Sequence, residues 1–212
     1  MRLEALRQAL ANPSIRRAEL AWLVAVAAQS AYLVVIVVYA YDVGGVAAAG
    51  VATTLRMIPA AILAPIVTGL ADRLPPGRVL VGIHLARALV VGAAALVVVG
   101  GLSPALVFSA VAVEGIVATL QRPTTMALMP ALARSPQELV ATNATTSTCE
   151  ALGTLVGPAI GGLLLAVSGP GLAMAATAVA FGVAALIVVA VEASRPAELS
   201  TAGEGRSRLR EL

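Results

Sequence analysis

The sequence contains no lysine; its 14 basic residues are all arginine. Only 12% of residues are charged, against about 25% for an average soluble domain. Water is therefore not the solvent for most of this chain. Aromatic residues make up 3%, and no basic–aromatic face is clustered anywhere, so no nucleic-acid partner is expected. One cysteine, Cys149, excludes an intrachain disulfide and a cysteine-based metal cluster. Lying in an apolar segment, it reads as a small packing residue. There is no Walker A loop, no histidine-rich metal spacing and no G-x-S-x-G, so neither an enzyme nor a cofactor is expected.

What the chain has in quantity is apolar surface: 59% of residues are hydrophobic, and mean hydropathy is +0.95. Residues 1–17 are Arg-rich and polar, with Leu3, Leu6 and Leu10 at helical spacing, and read as an amphipathic arm broken at Asn12-Pro13. The first apolar run, Leu20 to Tyr41, exceeds the ~7–15 residues of a signal-peptide core and reads as a membrane helix anchored by Trp22 and Tyr41. Further membrane helices are expected over Val46–Leu70, Val79–Gly100, Ala105–Ala127, Thr142–Val167 and Leu172–Val191. Residues 18–192 thus form a six-helix all-α integral membrane unit, and residues 193–212 a flexible tail.

Charge placement gives orientation. Arginines occupy the N-terminal arm (Arg2, Arg7, Arg16, Arg17), the second-to-third loop (Arg73, Arg78), the fourth-to-fifth connection (Arg122, Arg134) and the tail (Arg195, Arg206, Arg208, Arg210). The three opposite turns carry only Asp42. The positive-inside rule then puts both termini in the cytoplasm.

Three stretches carry a family resemblance. Between the second and third apolar runs stands Thr68-Gly69-Leu70-Ala71-Asp72-Arg73-Leu74-Pro75-Pro76-Gly77-Arg78. It resembles the loop between the second and third membrane helices of major facilitator superfamily transporters, roughly G-x-x-x-D-R-x-G-R-R. Asp72, Arg73, Gly77 and Arg78 match in kind; Thr68 stands at the leading glycine, and Pro75-Pro76 lengthens the loop by one residue. Arg56-Met57-Ile58-Pro59, and the segment from Arg122-Pro123 through Met129-Pro130-Ala131-Leu132 to Asn143-Ala144, are similar to elements of the enterobactin-exporter-like, drug-efflux branch, though Arg122-Pro123-Thr124-Thr125 departs from the usual order. Gly153-Thr154-Leu155-Val156-Gly157-Pro158-Ala159-Ile160-Gly161-Gly162 matches the fifth-helix pattern G-x-x-x-G-P-x-x-G-G at every fixed position. The resemblance covers about residues 14–192 and implies the N-terminal half of such a transporter, built as two inverted three-helix repeats.

It also implies roles. Asp72, Arg73, Gly77 and Arg78 would form a gating latch; alternatively, the arginines only fix topology and Asp72 offsets them. Gly153, Gly157 and Gly161 fall on one helix face and admit a close backbone, while Pro158 lacks the N–H for the carbonyl of Thr154, so the helix can bend there. A rocking interface is one reading; static small-residue packing is the other. Gly162 completes the motif.

Charges inside apolar helices point to function. Arg56 and Glu114 lie at matching depth, ~15 and ~13 Å in at 1.5 Å per residue, and are expected to pair. Glu150 is expected to pair with Arg122 or Arg87. These groups either couple transport to protons or only hold the bundle together. His84, beside Arg87, reads as an interface residue. Gln29, Ser30 and Tyr32 are candidates for a cavity face.

The function expected from the resemblance is secondary active, proton-coupled efflux of a small hydrophobic or amphipathic molecule, from a bacterial inner (cell) membrane. The partners are the bilayer, the small-molecule substrate and a second six-helix half. Arg208-Leu209-Arg210-Glu211-Leu212 echoes Arg2-Leu3-Glu4-Ala5-Leu6, as though a second lead-in were beginning, so truncation or a separate second half is favoured over self-association. The Asp72 loop and the glycine face are then expected to lack partners within this chain. The alternative is a non-transporting six-helix protein, or a fragment, packed against a partner.

Overall fold

A computed structural model describes residues 11–71 and 73–193, which are helical apart from short connections. The helical stretches are Pro13–Ala71, Pro76–Val99, Pro104–Ala118, Gln121–Leu132 and Pro136–Ala193. The first spans 59 residues and the last 58. A straight helix of that length would run to ~90 Å, three times the ~30 Å core of a bilayer. Both are broken at glycine. Gly45 has φ 64° and ψ −157°, and Gly169 has φ 73° and ψ 175°. That region of backbone space is essentially open to glycine alone. The breaks divide the chain into α1 (13–43), α2 (46–71), α3 (Pro76–Val99), α4 (Pro104–Ala118), α5 (Gln121–Leu132), α6 (136–168) and α7 (170–193).

Two apolar clusters fix how these segments lie. One gathers Tyr32, Val35, Ile36 and Tyr39 of α1, Val91, Ala94 and Ala95 of α3, Val107 and Val111 of α4, and Ala173, Met174 and Phe181 of α7. The other gathers Ile15 and Ala18 of α1, Leu80 and Ile83 of α3, Leu128, Met129 and Leu132 of α5, and Val188 and Val191 of α7. Val67 of α2 and Leu139 of α6 pack on the second cluster, and Leu164 and Leu165 of α6 on the first. The segments therefore run back and forth between two ends. Arg16, Arg17, Arg78 and Arg134 sit toward the end of the second cluster. The turns at the other end carry Asp42.

The outside is apolar. Leu155 is 74% exposed and Leu186 69%, and Ile62, Ile66, Leu89, Leu96 and Val167 are similarly open. Four stretches, Pro13–Gly69, Pro76–Val99, Pro104–Leu132 and Pro136–Ala193, are long and apolar enough to cross a membrane. Apolar surface on this scale, around an interior that buries Glu19, Arg87 and Glu114, suits lipid rather than water.

Element ends differ from the sequence expectations in three places, each with a local cause. The first helix starts at Pro13, because Asn12 caps it: its Oδ1 accepts from the backbone N–H of Ser14 at 3.1 Å. The fifth apolar helix starts six residues early, at Pro136. Ser135-Pro136-Gln137-Glu138 works as a helix start: Ser135 Oγ accepts from the Glu138 N–H at 3.1 Å, and Glu138 reaches back to the Arg134 N–H at 2.5 Å. The fourth is split into α4 and α5. Pro123 offers no N–H to the Thr119 carbonyl, and the turn tightens there, with Thr119 and Leu120 bonding three residues back, to Ile116 and Val117. By contrast, backbone angles stay helical through Pro158.

Candidate functional site

The charged centre is assembled where α2, α3, α4 and α7 meet. Gly115 makes the meeting possible: a Cβ there would lie 2.2 Å from the Arg56 backbone oxygen, so α2 and α4 touch backbone to backbone. Arg56 Nε then reaches Glu114 Oε2 at 3.0 Å. From α3, Arg87 approaches the other oxygen, with Nε at 3.1 Å and Nη2 at 2.6 Å from Oε1. Arg87 Nη1 donates to Gln121 Oε1 at the start of α5. Its guanidinium lies over the Phe181 ring, 4.0 Å from the centroid. Each nitrogen of the Arg87 guanidinium thus has an acceptor and one face lies on a ring, as suits a fully buried cation.

The expected Arg56–Glu114 contact is present, but the centre is larger than a pair. Arg87, on α3, is the closer partner, and both Arg87 and Glu114 are fully buried, while the Arg56 side chain keeps 17% exposure. Tyr32 lies within electrostatic range of all three, and its buried hydroxyl has no hydrogen-bond partner. Glu150 does not join this centre. It pairs with Arg122 at 3.2 Å near the surface. His84 is buried, with Nδ1 unpartnered.

The glycine face of α6 has a partner after all, and it is α1. Added Cβ atoms would lie 2.9 Å from Val26 Cγ1 at Gly153, 2.5 Å from Ser30 Cβ at Gly157 and 2.6 Å from the Ala31 oxygen at Gly161. The expectation of an unpartnered face is thereby corrected. Those glycines are consumed by packing inside the chain, where α1 and α6 run side by side. Pro158 and Gly162 lie on the exposed side, and a Cβ at Gly162 would meet open space.

Of the latch residues, Asp72 lies outside the described residues. Arg73 and Arg78 are exposed, and Gly77 is buried. A Cβ on Gly77 would lie 1.9 Å from Glu192 Oε1, so the first turn of α3 packs against the end of α7. Trp22, expected as an interfacial anchor, is buried, and its Nε1 has no partner.

One group was missed in the sequence. Glu19, at the start of the first apolar run, is 3% exposed. The Thr146 hydroxyl donates to its Oε1 at 2.5 Å, Cys149 lies nearby, and Oε2 has no partner. A signal was available: Glu19, Trp22 and Val26 fall on one helical face, with Thr146, Cys149 and Gly153 at the same period on α6. Among the described residues, no three of His, Cys, Asp and Glu converge on a point that would hold a metal ion.

Compared with known proteins, residues 20–212 match the sequence profile of the Major Facilitator Superfamily. No match is found among curated proteins or among solved structures.

Proposed function

The chain belongs to the Major Facilitator Superfamily, a family of membrane transporters rather than enzymes, and from that premise we propose that it works as one half of a secondary active, proton-coupled exporter of a small amphipathic molecule. The observation that carries this reading is the Arg56–Glu114–Arg87 centre. A charge in a membrane helix is costly, and three in contact mark the place where the helices must stay in register while they move. In this reading the segments make six crossings, two inverted repeats of three, with both termini in the cytoplasm of a bacterial cell. The crowding of Arg16, Arg17, Arg78 and Arg134 toward one end supports that orientation. Asp72 and the arginines of its loop form the latch between this unit and a second six-helix unit, and the substrate passes between the two.

The resemblance to the enterobactin-exporter-like branch supports export as the direction. Two experiments test the proposal. Flux into and out of proteoliposomes holding the chain with a second six-helix unit should depend on a pH gradient; absence of any flux would overturn the transport reading. Val43→Cys, Leu102→Cys and Ser168→Cys, each in a Cys149→Ser background, should react with an impermeant thiol reagent added outside intact cells. Reaction only from inside would reverse the topology.

A further inference from the structure

Among the described residues, one buried acid has neither a cation nor a full set of hydrogen bonds. Glu114 is held by two arginines. Glu138 accepts from the Asn12 side-chain amide at 3.0 Å and from the Arg134 backbone, at the solvent end of α6. Glu150 faces Arg122. Glu19 has the Thr146 hydroxyl on Oε1 and no partner on Oε2. At 3% exposure Glu19 is shut off from bulk solvent, and no cation among the described residues pairs with it.

From this geometry we propose that Glu19, between α1 and α6, is a proton-binding site, and that its proton is the one exchanged during transport. The coupling half of this statement rests on the transport reading above; the binding half does not. The ionisable groups on the surrounding elements are otherwise engaged. Arg16 and Arg17 on α1 are exposed, and Arg17 reaches the Ala190 carbonyl at 3.4 Å. On α6, Glu138 and Glu150 have the partners just given, and Cys149, a neutral thiol, lies near Glu19. Arg122 of α5 serves Glu150, and Glu192 of α7 lies against Gly77 of α3. His84 and Arg87 of α3 neighbour each other, with Arg87 committed to Glu114. None of these groups forms an ion pair with Glu19.

The chemistry is one proton transfer. A hydronium gives its proton to the carboxylate, forming an O–H bond and leaving water, and the acid later returns the proton to water. The seam supplies the means. Toward its other end α1 and α6 are in backbone contact at Gly153, Gly157 and Gly161, whereas at Glu19 the contact is between side chains, with the Thr146 hydroxyl on Oε1 and the Asn12–Glu138 bond beyond it. A local shift of the side chains around Glu19 hydrates the carboxyl without breaking the glycine contacts. Thr146 donates to the carboxyl whether it is ionised or neutral.

The test is infrared difference spectroscopy on the full chain in liposomes, parent minus Glu19→Gln. Gln has the shape of the protonated acid and keeps an acceptor for Thr146, so the variant should fold. The expected result is the carbonyl band of a protonated carboxylic acid at neutral pH, lost in Glu19→Gln and titrating away in alkali. A spectrum without that band overturns the site. In flux assays with the second unit present, Glu19→Gln should abolish stimulation by a pH gradient; stimulation equal to the parent overturns the coupling role. A chain that shows the band but moves no solute supports the proton site and defeats the transport reading alone.

Discussion

Glu114 and Glu19 are both buried carboxyls in a chain with few charges, and they are held in opposite ways. Glu114 contacts two guanidiniums, and one of them, Arg87, is itself held over the Phe181 ring. Glu19 sits among neutral donors and leaves one oxygen unbonded. The difference teaches which acid is a fastener and which is free to change state. Removing a proton acceptor from the first strands two cations; neutralising the second strands nothing. Burial alone therefore says little about the role of a membrane-embedded acid, and the count of facing cations says more.

The comparison can be broken by substitution. The largest effect is expected for Glu114→Leu, which leaves Arg87 buried without a counter-ion at a cost of ~3–5 kcal/mol. It should appear as a large fall in thermal unfolding temperature in mild detergent. Combining it with Arg87→Leu should recover a good part of that loss. If the two single losses simply add, Arg87 and Glu114 are not energetically linked.

Next comes Gly157→Ala. The new methyl would lie 2.5 Å from Ser30 Cβ and 2.6 Å from the Ala27 oxygen, so α1 and α6 must part, at ~1–3 kcal/mol. An unchanged melting temperature would mean that the seam is looser than its distances imply. Thr146→Val should cost less, ~1 kcal/mol, because it removes one hydrogen bond to Glu19 and little volume. The smallest stability effect belongs to Glu19→Gln, within ~0.5 kcal/mol, since the amide preserves the acceptor for Thr146. A loss as large as that of Glu114→Leu would erase the distinction between the two acids.

Much of the fold was legible in the sequence because membrane helices announce themselves by length and apolarity. The turns at Gly44-Gly45 and Gly169 were found within a few residues, as glycine is what a sharp reversal there needs. Arg56 and Glu114 were matched by depth, which counting along a helix measures well. Arg87 escaped as their third member because counting gives depth but not azimuth, and its approach depends on Phe181 and Gln121, on elements far away in the chain. The glycine face of α6 was legible as a close-contact surface, yet its occupant was not, since any smooth helix fits a smooth face. Glu19 was overlooked because it sits at the edge of an apolar run, where an acid ordinarily finds water; only the packing of α6 over it removes that water.

The cap of α1 bears on how the chain is made. Asn12 Oδ1 finds its donor, the Ser14 N–H, two residues on, so that half of the cap forms as soon as the helix does. The side-chain amide of the same residue donates to the Leu132 carbonyl at 3.1 Å and to Glu138 at 3.0 Å, 120 and 126 residues later. At synthesis rates of about 5–20 residues per second, that amide waits about 6–25 s for its acceptors to leave the ribosome. Through that interval the first helix stands in the bilayer with one end only half secured. The interval is set by the sequence separation of the two halves of the cap, and it closes when the turn before α6 arrives.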